Sequence, residues 1–339
     1  MGLIQMFLNL TFPPMALAFL AVALPPLTLM KMFGWLFHFL FSENMRGKVV
    51  VITGSSSGIG EQMAYEYAKR GAKLVLVATR EERLKAVAHN ARSLGAQNVL
   101  VIAADVSKHR DCKRFIDDTI THYGRLDHLV NNAGIAHSFL FEEATDPSHL
   151  PHLMDVTFWG AVYPTYYAIP HLKRVCGRIV VTASNAGWLP LPRMSIYNAA
   201  KAAVINFYDS LRIEVGPAVG ITVATPGWIE SEMTLGKFVD KQGEMQIDED
   251  VRDAQVGPLP IEYAEECAKA IVNGACRGQR TASIPKWYNV LFFYRVLAPE
   301  LLEWLSYLFY VRPVQQQPLS KTILDATGAK NILYPSSIQ

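Results

Sequence analysis

Three polar side chains have types and spacing that suit proton transfer. Tyr197 and Lys201 are four positions apart in a predicted helix from Ser195 to Val215, so they share one face of it. A free phenol has a pKa near ~10, and a nearby ammonium group favours the phenolate and lowers that pKa. Ser184 lies thirteen residues before the tyrosine and could stabilise negative charge on a substrate oxygen. In isolation, a tyrosine and a lysine at this spacing are more often a surface pair.

A glycine-rich segment, Thr53-Gly54-Ser55-Ser56-Ser57-Gly58-Ile59-Gly60, lies between a predicted strand and a predicted helix. Gly54 permits a turn, while Gly58 and Gly60 let the backbone and the helix approach a pyrophosphate closely. The start of the helix offers free N–H groups and a positive dipole end to phosphates. An ordinary loop is the alternative for an isolated glycine cluster. The predicted cofactor contacts here are Gly54, Ser56, Ser57, Gly58, Ile59 and Gly60.

The end of the second predicted strand reads Ala78-Thr79-Arg80 and holds no acidic residue that would favour NAD(H). Arg80 could pair with the 2′-phosphate of NADP(H) through two hydrogen bonds. The sequence therefore favours NADP(H), with NAD(H) left open as the alternative. Arg80 as a solvated residue at a helix start is the competing interpretation.

The elements that position these residues alternate between strands and helices from Lys48 onward. Val49–Thr53 is short, apolar and β-branched, as in a buried parallel strand, and Gly58–Arg70 is typical of a helix. Because strands separated by helices require right-handed crossovers, the pattern predicts an α/β fold, a doubly wound parallel sheet of the Rossmann type.

An apolar segment precedes this pattern. Residues 2–30 contain no charged side chain, and about 20 apolar residues suffice to cross a bilayer. Pro13-Pro14 and Pro25-Pro26 interrupt the segment, so a bent or hairpin-like insertion from one side is expected rather than a straight spanning helix. Lys31, Arg46 and Lys48 follow it and favour a catalytic domain on the cytosolic side. Residues 1–41 are accordingly predicted to be a membrane or lipid-droplet anchor.

Together with Asn131-Asn132-Ala133-Gly134, these motifs resemble the short-chain dehydrogenase/reductase family over residues 46–285. The resemblance implies a nicotinamide-dependent oxidoreductase acting on an alcohol or ketone. Tyr197 would exchange the proton, Lys201 would tune Tyr197 and hold the cofactor ribose, and Ser184 would orient the substrate. The further cofactor contacts that the resemblance implies are Asp105, Val106, Asn132, Ala133, Gly134, Pro226, Gly227, Ile229 and Ser231. Ser57 is neutral where many NADP-preferring relatives carry a basic residue.

Thr157 departs from the family pattern, in which many relatives carry a catalytic asparagine at this place. Threonine has no amide carbonyl, so a proton relay through water to Lys201 would be weaker or rearranged. This departure leaves open a second class of function, a lipid-droplet scaffold protein whose dehydrogenase fold turns over little.

Apolar residues flank the predicted site. The predicted substrate pocket comprises Ser184, Trp188, Leu189, Met194 and Met233, and it suits a rigid hydrophobic molecule. The segments 185–194 and 229–233 and the paired prolines resemble the steroleosins, the plant oil-body hydroxysteroid dehydrogenases of this family. That resemblance implies a steroid or sterol substrate and a lipid droplet or endoplasmic reticulum location. A membrane-bound reductase of lipid or retinoid carbonyls is the alternative.

The rest of the chain narrows the function classes. The net charge of +2 gives no electrostatic footprint for nucleic acid, and the four cysteines lack metal-ligand spacing. Residues 286–312 are rich in Trp, Tyr, Phe and Leu, which suits a helical segment that touches membrane, packs on the core or forms a homodimer. Residues 313–339 are predicted to be a polar, poorly ordered tail.

Overall fold

A computed structural model of the chain describes residues 2–40, 42–314 and 317–339. Met1 and Phe41 of the predicted anchor, and Gln315 and Gln316 of the predicted tail, lie outside the described residues. The strands are β1 (Val49–Thr53), β2 (Lys73–Ala78), β3 (Asn98–Ala103), β4 (His128–Asn131), β5 (Arg178–Thr182), β6 (Gly220–Pro226), β7 (Lys237–Val239), β8 (Met245–Ile247), β9 (Thr281–Ile284), β10 (Pro313–Val314) and β11 (Gln317–Pro318). The α-helices are α1 (Gly2–Leu40), α2 (Gly58–Lys69), α3 (Glu81–Ser93), α4 (His109–Tyr123), α5 (Leu150–Met154), α6 (Gly160–Arg174), α7 (Ser195–Val215), α8 (Glu249–Val256), α9 (Ala264–Cys276), α10 (Asn289–Leu297), α11 (Pro299–Tyr310), α12 (Leu319–Thr327) and α13 (Lys330–Leu333).

Seven parallel strands form the main sheet in the order β3-β2-β1-β4-β5-β6-β9. Side chains from α2, α3 and α9 cover one face of the sheet, and those from α4, α6 and α7 cover the other. Every residue of β1 is buried, as its continuous apolar sequence requires. The predicted doubly wound sheet is confirmed. The strand order reverses beside β1, so the carboxyl ends of β1 and β4 form the crevice where such folds bind ligands.

The chain divides into two units, residues 1–43 and 44–339. In the first, α1 is one continuous helix that includes Pro13, Pro14, Pro25 and Pro26. The expected hairpin is therefore wrong for this structure. Each proline removes only one backbone hydrogen bond, and a helix of 39 residues keeps the remainder. The stretch Gly2–Gly34 is long and apolar enough to cross a membrane, a test that a signal sequence near the N-terminus also passes.

The C-terminal residues 317–339 are folded, in contrast to the poorly ordered tail expected from their polarity. Leu324, Tyr334 and Ile338 are buried among residues of α8 and the loops beside it. The guanidinium of Arg252 in α8, itself almost fully buried, donates hydrogen bonds to the carbonyl of Ile338 at 3.0 Å and to Asp253 at 2.7 Å. The tail is ordered because it covers apolar surface and supplies partners for a buried charge.

Candidate active site

One cavity of about 760 Å³ opens at the carboxyl ends of the parallel strands. It contains nearly all the residues that the sequence predicts for the site. Those that line it are Gly54, Ser56, Ser57, Gly58, Ile59, Arg80, Asp105, Val106, Asn132, Ala133, Gly134, Ser184, Leu189, Met194, Tyr197, Lys201, Pro226, Gly227, Ile229, Ser231 and Met233. Gly60 and Trp188 lie outside this lining, and Trp188 instead packs its ring against Phe292 of α10 at 5.9 Å between centroids.

The glycine-rich loop has a backbone that only glycine fits at two positions. Gly54 has a φ of +64°, and a Cβ there would lie 2.8 Å from the Cα of Ala133. A Cβ on Gly60 would lie 2.3 Å from the carbonyl oxygen of Gly54 and 2.5 Å from the Asn132 side chain. Gly60 therefore allows the start of α2 to pack closely against the loops that follow β1 and β4. The Nδ2 group of Asn132 also donates to the Gly54 carbonyl at 3.3 Å and braces the loop.

The Arg80 guanidinium lies over this loop. Its Nη2 donates to the hydroxyls of Ser56 and Ser57, both at 2.9 Å. Its Nη1 donates to Glu232 Oε1 at 2.5 Å, across the cavity from the segment that follows β6. Two hydroxyls and a guanidinium form a donor set that fits a phosphate group. Asp105 lies beyond β3, and its carboxylate accepts hydrogen bonds from the backbone and hydroxyl of Ser107 at 3.0 and 2.7 Å.

Tyr197 and Lys201 emerge from the first two turns of α7 and face Ser184, which follows β5. The Lys201 Nζ lies 5.7 Å from the centre of the Tyr197 ring and donates to the Thr182 carbonyl at 2.8 Å. The Ser184 hydroxyl donates to the Pro226 carbonyl at 3.3 Å and accepts from the Ala186 N–H at 3.1 Å. The sheet edge and one helix thus bring the three groups to one wall of the cavity.

Burial shifts the pKa values of Tyr197 and Lys201. It raises the pKa of Tyr197 to about 12, against a smaller lowering by the hydrogen bond with Ser184. It also lowers the pKa of Lys201 to about 8. The drop in the phenol pKa that the sequence predicts is therefore not present in this structure, because loss of solvation outweighs the hydrogen bond with Ser184. Tyr197 is a neutral phenol at neutral pH and is suited to donating a proton.

Thr157 lies in a π-helical turn, Asp155–Trp159, beside the trio. Its Oγ1 donates to the Ile135 carbonyl at 3.0 Å and accepts from the Ile135 N–H at 3.2 Å. A Cβ built on Gly134 would lie 3.5 Å from Lys201 Nζ and 3.8 Å from Thr157 Oγ1. Thr157 therefore fixes the loop after β4 that passes beside Lys201.

The apolar end of the cavity includes residues that the predicted pocket omits. Trp228, Tyr288 and Leu259 line it, together with the inner side chains of α10 and α11. The outer side chains of those helices are exposed, among them Phe293, Leu297 and Trp304. The aromatic content of residues 286–312 was the sequence signal for this wall. Glu232 and Lys237 also line the cavity. Glu232 lies in the segment 229–233 that carries the resemblance, but no sequence pattern assigns it or Lys237 to the site.

A strand-order reversal, a glycine cradle and a buried Ser-Tyr-Lys set define a nucleotide-dependent oxidoreductase site. The family model for short chain dehydrogenases matches residues 48–242, and the chain belongs to that family. It is an oxidoreductase acting on CH–OH groups.

Curated relatives support this assignment over the full length of the chain. An 11-beta-hydroxysteroid dehydrogenase of Pinus massoniana is 56% identical over 342 residues, which cover 100% of this chain and 96% of the relative. The 11-beta-hydroxysteroid dehydrogenase A of Arachis hypogaea is 51% identical, covering 100% and 98%. The predicted resemblance to plant hydroxysteroid dehydrogenases of the steroleosin type is confirmed.

Solved structures support the fold. A short chain dehydrogenase/reductase of Burkholderia phymatum in complex with NAD superposes with a TM-score of 0.67 and 25% identity, covering 80% of this chain and 99% of that one. A 3-ketoacyl-(acyl-carrier-protein) reductase of Brucella melitensis complexed with NADH gives a TM-score of 0.61 and 28% identity, covering 71% and 97%. NAD(P)(H) is therefore the cofactor class of the fold.

Proposed function

We propose that this protein is an NADP(H)-dependent hydroxysteroid or sterol dehydrogenase that works at a membrane or lipid-droplet surface. The observation that carries the proposal is a single cavity with three parts: Arg80 and two serine hydroxyls at one end, which is the proposed phosphate-binding end, the Ser184-Tyr197-Lys201 wall at its centre, and an apolar end. A bound nicotinamide would supply or accept hydride at the substrate carbon. The glycine-rich loop and the loop after β4 would hold that cofactor.

In the direction of ketone reduction, the neutral phenol of Tyr197 donates its proton to the substrate oxygen. The Ser184 hydroxyl donates a hydrogen bond to the same oxygen and stabilises its developing negative charge. The Lys201 ammonium, 5.7 Å from the centre of the Tyr197 ring, stabilises the phenolate that remains until a proton returns. In alcohol oxidation the same groups act in reverse order.

The substrate class follows from the apolar end of the cavity. Met194, Trp228 and Met233 offer a mostly apolar lining with few polar groups, which suits a rigid molecule such as a steroid. The plant relatives named above are 11-beta-hydroxysteroid dehydrogenases. The apolar α1 and the exposed apolar side chains of α10 and α11 support association with lipid. Lys31, Arg46 and Lys48 support a catalytic domain that faces the cytosol.

The test is turnover and cofactor affinity of the full chain in detergent, with hydroxysteroids, ketosteroids, retinal and fatty aldehydes, each with NADPH and NADH. Turnover of steroids is expected, with NADPH preferred. Arg80→Ala should weaken NADPH binding about 10- to 100-fold, since a charge-assisted hydrogen bond contributes roughly 1.5–3 kcal/mol.

The same variant should leave NADH affinity within about twofold, because NADH lacks the 2′-phosphate that the guanidinium would hold. Equal losses for both cofactors would remove Arg80 as the selector. Preference for retinal or fatty aldehydes would shift the assignment to a reductase of lipid carbonyls. Absence of turnover with every substrate would favour the scaffold alternative.

A further inference from the structure

The carboxylate of Glu232 holds two cations at the phosphate-binding end of the cavity. Its Oε1 accepts from Arg80 Nη1 at 2.5 Å, and its Oε2 accepts from Lys237 Nζ at 2.7 Å. About 23% of the Glu232 side chain is exposed, so both ion pairs lie at the cavity mouth rather than free in solvent. Burial acts to raise the pKa of Glu232, but the bonds from Arg80 and Lys237 outweigh it and hold that pKa below its ordinary value.

These ion pairs connect three separate parts of the fold. Arg80 precedes α3, Lys237 begins β7, and Glu232 belongs to the segment after β6. Ser231, the preceding residue, lies against the glycine-rich loop, because a Cβ built on Gly58 would be 3.1 Å from the Ser231 Cβ. The carboxylate therefore lies beside the two serine hydroxyls that also bind Arg80.

We propose that Glu232 is a specificity-determining residue that competes with the 2′-phosphate of NADP(H) for Arg80, and that Lys237 is a second cation of the phosphate site. The inference rests on the proposed function, in which Arg80 takes that phosphate. A carboxylate between two cations and beside two hydroxyls has the partners that a phosphate monoester would take. Glu232 and the phosphate are both anions, so their direct approach would also be unfavourable.

The competition acts on only one of the two cofactors. A 2′-phosphate must take the Arg80 Nη1 donor from Glu232, and Glu232 then keeps Lys237 or turns toward solvent. A ribose 2′-hydroxyl makes no such demand, so NAD(H) binds with the ion pairs intact. Glu232 therefore lowers the affinity for NADP(H) and narrows the preference between the two cofactors.

The experiment measures binding to the full chain in detergent by calorimetry, using 2′,5′-ADP and 5′-AMP as probes that differ by the 2′-phosphate. Glu232→Gln keeps the size of the side chain and removes its charge. It should tighten 2′,5′-ADP binding by about three- to tenfold and change 5′-AMP binding by less than about twofold. The matched control is Glu244→Gln, an exposed glutamate in the β7–β8 hairpin, which should change neither.

Two further variants keep the proposal falsifiable whatever the stability of the first. Glu232→Asp retains the charge but is one methylene shorter, so it should loosen the hold on Arg80 and give an intermediate gain. Lys237→Met removes the second cation and should weaken 2′,5′-ADP by about three- to tenfold without affecting 5′-AMP.

The outcomes distinguish a failure of the Glu232 competition from a failure of the NADP(H) assignment. If Glu232→Gln leaves 2′,5′-ADP binding unchanged or weaker while Arg80→Ala still weakens it, the competition is refuted and the NADP(H) assignment stands. If Arg80→Ala leaves 2′,5′-ADP binding unchanged, the phosphate site itself is refuted, and the role of Glu232 with it.

Discussion

Tyr197 is the proton donor that the geometry favours, because its buried phenol lies beside Ser184 and Lys201. Tyr197→Phe should lower turnover by about 10²–10⁴-fold, the usual contribution of general acid–base catalysis. NADPH affinity should stay within about twofold, because most of the cofactor contacts lie elsewhere. Steady-state rates measure the loss of turnover, and calorimetry measures the NADPH affinity. Tyr166→Phe, at an exposed tyrosine of α6, is the matched control. Wild-type turnover in Tyr197→Phe would reject the assignment.

Thr157 uses one hydroxyl to satisfy both backbone groups of Ile135. Thr157→Val preserves the shape but leaves the part-buried N–H and carbonyl of Ile135 without this partner, so the free energy of unfolding should fall by about 1–3 kcal/mol. Turnover should fall as well, because the loop beside Lys201 loses its brace. Chemical denaturation and steady-state kinetics measure both effects.

Thr157→Asn is the informative partner of that variant. An amide offers a donor and an acceptor and can replace both hydrogen bonds, so turnover should equal or exceed that of the wild type. A sharp fall in Thr157→Asn would show a proton relay specific to threonine. Unchanged stability in Thr157→Val would refute the bracing role.

Site residues that belong to a local sequence pattern could be predicted, whereas those that meet only through distant parts of the chain could not. Tyr197 and Lys201 share a helix face, and the glycine-rich loop follows a recognisable strand, so short-range rules locate them. Glu232 meets Arg80 only because the segment after β6 returns over the loop after β2, 152 residues apart in sequence. The apolar loop predicts Trp188 in the pocket, but this loop directs the Trp188 ring toward Phe292 of α10.

At the scale of elements, a buried histidine, His137, contacts the first turn of α7. His137 Nε2 accepts a hydrogen bond from the Ile196 N–H at 3.1 Å, in the first turn of the helix that carries Tyr197 and Lys201. Burial lowers the pKa of His137 to about 4, against a smaller rise from a bond with the Arg193 backbone. Only the neutral ring can accept the Ile196 bond through Nε2.

The sign of the pH effect follows from that lowered pKa. The unfolded chain binds a proton near pH 6.5 and the folded chain only near pH 4, so stability from His137 is complete above pH 6.5 and is lost as pH falls toward 4. Between pH 7 and pH 5 the wild type should lose about 2 kcal/mol more than His137→Gln, whose amide accepts the bond without titrating.

Denaturant unfolding at both pH values measures this difference. His89→Gln, at an exposed histidine of α3, is the matched control and should follow the wild type. Parallel losses in the wild type and in His137→Gln would show that this imidazole does not set the acid sensitivity.

The sheet was predictable as an element pattern, because apolar strands and glycine-ended helices alternate at short range. The prolines of α1 misled the prediction, since a long helix tolerates the loss of a few backbone bonds. The order of the C-terminal residues could not be predicted either, because their few apolar side chains become buried only in a groove that other parts of the chain form. Leu324 and Tyr334 fill that groove, and no local pattern marks it.

At the scale of the whole molecule, the second unit contains the complete candidate site. Deleting residues 2–41 should give a domain that still binds NADPH, because β1 begins at Val49 and the unit begins at Asn44. The full chain should remain with membranes in high salt, since burial of apolar α1 is not screened by ions. Fractionation after a salt wash and calorimetry of the truncated protein check the two expectations.

A slightly longer deletion supplies the control. Met45 is buried in the core of the second unit, so removing residues 2–46 should lower the free energy of unfolding by about 2–5 kcal/mol relative to the shorter deletion. Equal stability of the two truncated proteins would contradict the core role of Met45. Release of the full chain from membranes by salt alone would contradict attachment through α1.

The contact between Arg252 and Ile338 can form only after residues 317–339 have been synthesised. The ribosome synthesises the glycine-rich loop, the Ser184-Tyr197-Lys201 wall and α8 well before residues 317–339. Until those last residues arrive, the nascent chain holds a guanidinium without its carbonyl partner and an uncovered apolar groove next to the site. Every proposed catalytic group is then present in a domain whose apolar groove is still exposed.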